Sequence, residues 1–453
     1  MKPDTIVALA SGAGRAGVAV IRLSGSAAGD VLRALTDRDL PKPRIATRMA
    51  FCAPDTGLSL DDGLALWFPG PHSFTGEDVA ELHVHAGPAV IAAIIDACLS
   101  QPGVRVAEPG EYTRRAFENG KLDLAEAEGL ADLVDAETEG QRRQALRQRR
   151  GALSLVYETW RARLIEAAAL IEAEIDFPDE DLPGELSRRA GPLLHALVAD
   201  MDAHLNDAHR GERIRDGYRI AIIGPPNAGK SSLLNALAQR EAAIVSDLPG
   251  TTRDVVEVHL VLAGFPVWIA DTAGLREAAD AIEAEGVRRA LARAEEADLR
   301  IGLVDGSGSE GRADAVEVHL RDDDLLVITK RDLGSGDAWS EAVEISDVVG
   351  LGEAPWVSAS TGQGIPELIA LLAARVADAL GREEAPVLTR ARHRRLVEEA
   401  RDALKRAIAA MDQGAELAAE DVRVAATAVG RLTGRIDVED LLDEIFSSFC
   451  IGK

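Results

Sequence analysis

At 453 residues the chain is too long for one hydrophobic core, which rarely extends past about 250–300 residues, so two to four domains are expected. Hydrophobic residues make up 47% and charged residues 28%, an ordinary composition for a soluble globular protein. A net charge of −26 repels phosphate backbones and excludes nucleic-acid binding through a broad basic face, so any RNA would need positive charge from a partner or a local patch. No run approaches the ~20 apolar residues that cross a bilayer, and the opening MKPDTIVALASGAG has no cleavable-signal layout, so no membrane association and a cytoplasmic location are expected. Cys52, Cys98 and Cys450 are far apart, against a disulfide framework or zinc site.

Residues 1–119 mix short β-rich runs (18–23, 64–68 and 79–85) with Gly/Pro turns, which predicts a small α/β domain. Over 120–214 the texture becomes helical. Leu146, Leu153, Val156, Trp160, Leu164, Ile171 and Ile175 recur at helical steps, and Pro178 stops that helix near Phe177. Residues 215–378 alternate strands (220–223, 255–262, 267–270, 300–304, 325–329 and 356–358) with helical segments. That is the pattern of an open, mainly parallel sheet with helices on both faces, and Ala263-Gly264 joins the second and third strands as a hairpin. Residues 379–453 are helical again. The fold class expected is α/β and α: an N-terminal α/β domain, and a helical domain interrupted by an inserted nucleotide domain.

The strand 219–223 runs into Gly224-Pro225-Pro226-Asn227-Ala228-Gly229-Lys230-Ser231 and then Ser232 and an apolar helix. This is a GxxxxGK[ST] phosphate loop in its strand-to-helix setting, where backbone N–H groups wrap phosphates and the helix start adds partial positive charge. Lys230 is expected on the β- and γ-phosphates and the Ser231 hydroxyl on Mg²⁺. Asp271-Thr272-Ala273-Gly274 ends another strand, with Asp271 placed for the Mg²⁺ shell and the Gly274 N–H for the γ-phosphate. Within Gly250-Thr251-Thr252-Arg253-Asp254, Thr252 is the threonine expected to close over Mg²⁺. In Thr329-Lys330-Arg331-Asp332, Asp332 can accept from the N1–H and exocyclic amine of guanine, which adenine does not offer, so GTP is the expected nucleotide. Ser358-Ala359-Ser360 is expected to bring backbone N–H groups to guanine O6.

Ras-like proteins place a water-orienting glutamine after this Asp-x-x-Gly motif, where this chain has Leu275. Glu277, Asp280, Glu283 and Glu285 follow, either as a water-orienting group or as a solvated face. Asn227, Ser246 and the run Asp247-Leu248-Pro249 before Thr251 can present oxygens near the phosphates, a cage that suits a monovalent cation.

Several blocks together resemble the MnmE/TrmE family of tRNA uridine-modification GTPases over almost the whole length. They are 17–25, 73–82 and 109–124 in the N-terminal part, 226–232, 250–254 and 271–276 in the middle, and the final Cys450-Ile451-Gly452-Lys453. The resemblance implies a homodimer formed through an N-terminal domain (1–119) that binds 5-formyl-tetrahydrofolate, with Arg22, Glu81, Lys121 and Lys453 at the folate contacts. It implies potassium-stimulated hydrolysis, with K⁺ held by Asn227, Ser246, the Leu248 carbonyl and Thr251, and Glu283 orienting the water. It implies an FAD-binding partner, MnmG, in a heterotetramer that also supplies most of the tRNA contact. Together they would attach an aminomethyl-type group to carbon five of the wobble uridine. The chain departs from the family's usual pattern at Thr329 (usually Asn), Ser246 (usually Thr), Pro249 and the run 11–17.

Other features compete for attention. Cys450 is a candidate nucleophile or a spectator thiol near the chain end. His83 and His85 alternate along a strand without a third ligand nearby in sequence, which favours a structural role over a metal site. Arg142, Arg143, Arg147, Arg149 and Arg150 serve either intramolecular pairing or RNA. The competing functions are a regulatory or ribosome-assembly switch without one-carbon chemistry, and a folate-dependent transferase merely regulated by its nucleotide domain.

Overall fold

A computed structural model describes residues 4–12, 14–176, 186–207, 209–240, 257–271, 295–307, 320–333, 354–381, 387–411, 413–436, 439–447, 449 and 452. The chain divides into two units. One comprises Met1–Ala131, Gln148–Leu197 and Glu399–Lys453, the other Asp132–Arg147 and Val198–Glu398.

In the first unit, strands β1 (Thr5–Leu9), β2 (Ala19–Ser24), β3 (Thr47–Cys52), β4 (Ser59–Phe68), β5 (Val79–Val84) and β6 (Val104–Val106) form one sheet in the order β3-β4-β5-β2-β1-β6. Only the β1–β6 pair is parallel. Ala19, Ile21 and Leu23 of β2 face a core that also holds Val31, Leu32 and Leu35 of helix α1 (Ala28–Thr36) and Ile94 and Cys98 of α2 (Pro88–Leu99). Because strand side chains alternate faces, Arg22 is turned to the opposite side, directly across from Glu81 in the β2–β5 register.

Helix α3 (Glu111–Glu118) is fastened by charge. Arg115 donates to Glu111, Glu77 and Asp4, and Arg105 grips Glu111 with two bonds at 2.8 and 2.5 Å. Burial pushes the Glu111 carboxyl up, but its hydrogen bonds to Arg105 and Arg115 outweigh that and hold it below its usual range. Helix α4 (Leu124–Asp135) opens on a reciprocal cap: Asp123 accepts from the Glu126 N–H at 2.8 Å, and Glu126 accepts from the Asp123 N–H at 2.9 Å.

One expectation needs correcting in the long helical stripe. Helix α5 (Glu139–Arg149) stops and α6 (Ala152–Asp176) starts afresh, because Gly151 takes a left-handed φ of 82° between them. Leu146 therefore sits on a different helix from the stripe. The residues that α6 buries are Leu153, Tyr157, Trp160, Leu164, Ala167 and Ile171, against the helix Ala415–Leu432. Helix α6 ends at Asp176, ahead of Pro178.

After α7 (Leu186–Leu205) and α8 (Arg210–Asp216), the second unit is built on β7 (Tyr218–Ile223), β8 (Glu257–Leu262), β9 (Phe265–Asp271), β10 (Leu299–Asp305) and β11 (Leu325–Thr329). Their order is β11-β10-β7-β9-β8, all parallel except the β8–β9 hairpin. Its turn, Ala263-Gly264, has φ of 52° and 81°, the two positive values that match the twist of the flanking strands. One face of the sheet packs on α9 (Lys230–Arg240) and the helix Ile365–Leu380 through Leu233, Leu234, Leu237, Leu368 and Leu372. The expected strand at 356–358 is instead a single bridge, Ile328 to Trp356. The chain turns away there because Ser358 closes a turn with the Gly362 N–H.

Candidate nucleotide site

Strand β7 delivers the chain at Ile223, and α9 begins at Lys230. Between them Asn227 and Gly229 both take left-handed φ values, 65° and 91°, which bend the loop tightly enough to face α9's first N–H groups. Those groups have no intrahelical partner, so the helix start is a ready anion site. Lys230 is buried beneath the loop, and its ammonium donates to the Gly224 and Pro225 carbonyls at 2.9 and 3.0 Å. Burial lowers its pKa, with Asp271 opposing. Asn227, Ser231 and Ser232 are exposed, whereas Ala228 is buried.

Ser231 and Asp271 converge. The serine hydroxyl donates to Asp271 Oδ2 at 2.6 Å, while Asp271 Oδ1 is buried without a hydrogen-bond partner among the described residues. A hydroxyl beside an unsatisfied carboxylate oxygen is a donor set that suits a hard, oxygen-seeking cation such as Mg²⁺.

At the other end of the site, Asp332 accepts from Ser358 Oγ at 2.6 Å and from Ser360 Oγ at 2.9 Å. These bonds hold its carboxyl below the usual range, Ser358 first. The Ser358 N–H donates to the Gln363 carbonyl at 2.8 Å, so it is not offered to a base; that corrects the expectation for Ser358 and leaves Ala359 and Ser360. Lys330 Nζ pairs with Asp305 Oδ2 at 2.6 Å. Asp305 was not singled out from sequence, although it stands at the end of an apolar strand, where parallel sheets carry their sites. Thr329, buried at the end of β11, donates its hydroxyl to the Ala228 carbonyl at 2.7 Å.

The remaining members expected here lie outside the described residues. They are Ser246, Asp247, Leu248, Pro249, Gly250, Thr251 and Thr252, then Thr272, Ala273 and Gly274, and Glu283.

In the first unit Arg22 and Glu81 are brought into contact, Nε to Oε1 at 3.0 Å. The Arg22 guanidinium also lies 5.7 Å from the ring centres of both Phe74 and Tyr112. A donor fork and an acceptor carboxylate flanked by aromatic faces suit a flat heteroaromatic ring bearing N–H and C=O groups. Lys121 is exposed and donates to the Pro71 carbonyl at 2.9 Å. Lys453 and Cys450 lie outside the described residues, but the intervening Gly452 is buried against Leu9.

His85 pairs with Asp61 at 2.8 Å, and His83 lies 3.6 Å from Glu81. Among the described residues no group of three or more His, Cys, Asp or Glu gathers to hold a metal. Arg142 and Arg143 both face Glu139. No helix among the described residues is long and apolar enough to cross a membrane.

Known proteins resemble this chain along its length. A relative from Parvibaculum lavamentivorans, "tRNA modification GTPase MnmE", is 60% identical over 99% of this chain and 100% of its own. Relatives of the same name from Maricaulis maris and Phenylobacterium zucineum are 58% and 55% identical, each over 99% of this chain. Residues 5–121 match the family described as GTP-binding protein TrmE N-terminus, and residues 124–450 match the MnmE helical domain. The chain belongs to the MnmE/TrmE family.

Proposed function

We propose that this chain hydrolyses GTP to GDP and inorganic phosphate, and that its nucleotide cycle serves the modification of tRNA. The observation that carries the reading is the pairing of two ends in one unit. Lys230, Ser231 and Asp271 surround the phosphate loop, and Asp332 is held by two serine hydroxyls where β11 ends. A carboxylate locked as an acceptor selects guanine over adenine, because only guanine offers two adjacent N–H donors to it. The names of the relatives support tRNA as the ultimate substrate.

Lys230, freed from the loop carbonyls, counters charge on the β- and γ-oxygens. Ser231, Asp271 and Thr252 hold the Mg²⁺, which when bound neutralises phosphate charge. Glu283 takes the water-orienting role that Leu275 cannot fill. Asn227, Ser246, the Leu248 carbonyl and Thr251 hold a K⁺ that takes the part of an arginine finger. In the first unit Arg22, Glu81, Lys121 and Lys453 bind a formyl-tetrahydrofolate one-carbon unit. The chain acts in the cytoplasm as a homodimer with an FAD-binding MnmG partner, on carbon five of the wobble uridine.

The deciding experiment is turnover of the purified chain with GTP and with ATP, in potassium and in sodium, before and after Glu283→Ala. GTP-selective, potassium-dependent turnover that Glu283→Ala abolishes is expected. Equal use of ATP overturns the nucleotide assignment, and equal turnover in sodium overturns the cation assignment. Unchanged turnover in Glu283→Ala removes that residue's role.

A further inference from the structure

Thr329 is 5% exposed, and its one hydroxyl proton faces two carbonyls, Ala228 at 2.7 Å and Val304 at 3.2 Å. The shorter contact, to the phosphate loop, takes the greater share of it. The rest of the side chain also meets that loop: its Cβ, Oγ1 and Cγ2 lie 3.8, 3.9 and 4.0 Å from where a Cβ on Gly229 would stand. Ala228 itself is buried between two left-handed residues, Asn227 and Gly229. The loop is therefore tightly bent where Thr329 holds it.

The segment that follows is pinned at each residue. Lys330 has a positive φ of 58° and pairs with Asp305. The Arg331 N–H donates to the Val357 carbonyl at 3.0 Å, and Asp332 is held by Ser358 and Ser360. Asp332 and Thr329 thus stand at the two ends of one short pinned segment, and the Thr329 hydroxyl joins that segment to Ala228.

We propose that Thr329 is a positioning residue that makes the alignment of the phosphate loop depend on whether Asp332 has engaged a base. This rests on the guanine-nucleotide reading above and deepens it, since base recognition then contributes to turnover as well as to binding. A threonine does this with a single short donor and a methyl branch, so the coupling hangs on one hydroxyl. Its loss leaves a buried carbonyl without that donor.

The test is a double-mutant cycle on GTP hydrolysis by the full chain, using Thr329→Val, which keeps the shape and removes the donor, Asp332→Asn, and both together. Thr329→Val is expected to lower kcat about tenfold as well as raise KM. The loss in kcat/KM from Asp332→Asn should be at least fivefold smaller in the Thr329→Val background, because residues acting as a unit are not additive. Thr329→Ser, which keeps the hydroxyl, is expected to retain parental kcat. Unchanged kcat in Thr329→Val, single losses that multiply in the double variant, or a Thr329→Ser as slow as Thr329→Val each overturn the proposal. If Thr329→Val does not fold, as read by thermal unfolding without nucleotide, Thr329→Cys carries the same expectations and refutations through its much weaker donor. A parent chain that turns over no GTP sinks the GTPase reading as well, whereas one that hydrolyses GTP and ignores Thr329→Val sinks this inference alone.

Discussion

Ser231 and Asp271, 40 residues apart in sequence, meet at 2.6 Å, and the second oxygen of Asp271 is buried with no hydrogen-bond partner among the described residues. Helix α9 carries the hydroxyl and strand β9 carries the carboxylate. The sheet order places β7, which feeds α9, beside β9.

Removing the hydroxyl tests the cation assignment. Ser231→Ala is expected to raise the Mg²⁺ concentration needed for half-maximal GTP turnover by at least about tenfold, since even outer-shell partners of a metal are worth about 10–100-fold in affinity. A magnesium titration of turnover reads this directly. An unmoved midpoint removes Ser231 from the ion's surroundings.

Asp332 should decide which purine is taken. Asp332→Asn converts an acceptor-only group into one that also donates, which suits xanthine, whose C2 carries a carbonyl. GTP affinity is expected to fall at least about 100-fold, from two charge-assisted hydrogen bonds of about 1.5–3 kcal/mol each. Xanthosine triphosphate should bind the variant better than GTP does. Competition binding with the two nucleotides checks it, and a variant that still prefers GTP contradicts the role.

Gly452 is held by a steric fit. Gly452 has a φ of 98°, and a Cβ there would stand 2.1 Å from the Leu9 carbonyl oxygen. Gly452→Ala is expected to displace residue 452 from Leu9, at a cost of at least about 1 kcal/mol. Thermal unfolding and carboxypeptidase release of Lys453 measure it. If Lys453 sits at the folate site, ligand affinity falls in step.

His259 ties stability to pH. It is 8% exposed and stacked on Trp268 at 4.2 Å between ring centres, with Glu137 3.5 Å from Nδ1. Burial depresses its pKa below 6.5, and Glu137 only partly offsets this. The unfolded chain therefore binds the proton more readily than the folded one. The stability from this group is fully present above about pH 6.5 and is lost as pH falls below that toward the folded value. His259→Phe keeps the stack and removes the titration, so it should lose less stability than the parent between pH 7.5 and 5.5. Urea midpoints at the two pH values compare them.

Much of the nucleotide site was legible locally. A phosphate loop needs glycine-permitted turns followed at once by a helix start, and both requirements fall within residues 224–231, so order along the chain sufficed. The hairpin at Ala263-Gly264 was equally readable, because a two-residue turn is a contiguous signal. The strand expected at 356–358 is cut to a single bridge. Pro355 and Val357 make the two backbone bonds of a parallel bridge to Ile328 of β11, and the turn at Ser358 ends the pairing there. The break at Gly151 was missed because the apolar spacing runs on across it while the backbone reverses hand.

By itself, then, the amino-acid order determined which residue types could bind phosphate, a hard cation and a purine, and that they follow strand ends. Folding alone decided which of them touch: Thr329 on Ala228, Ser358 on Asp332 through its side chain rather than its backbone, and Arg22 beside Phe74 and Tyr112. The reason is one of range. Turn chemistry and periodicity act between residues a few positions apart, whereas a hydrogen bond across 101 positions, as between Thr329 and Ala228, exists only once the sheet has set β11, β10 and β7 side by side.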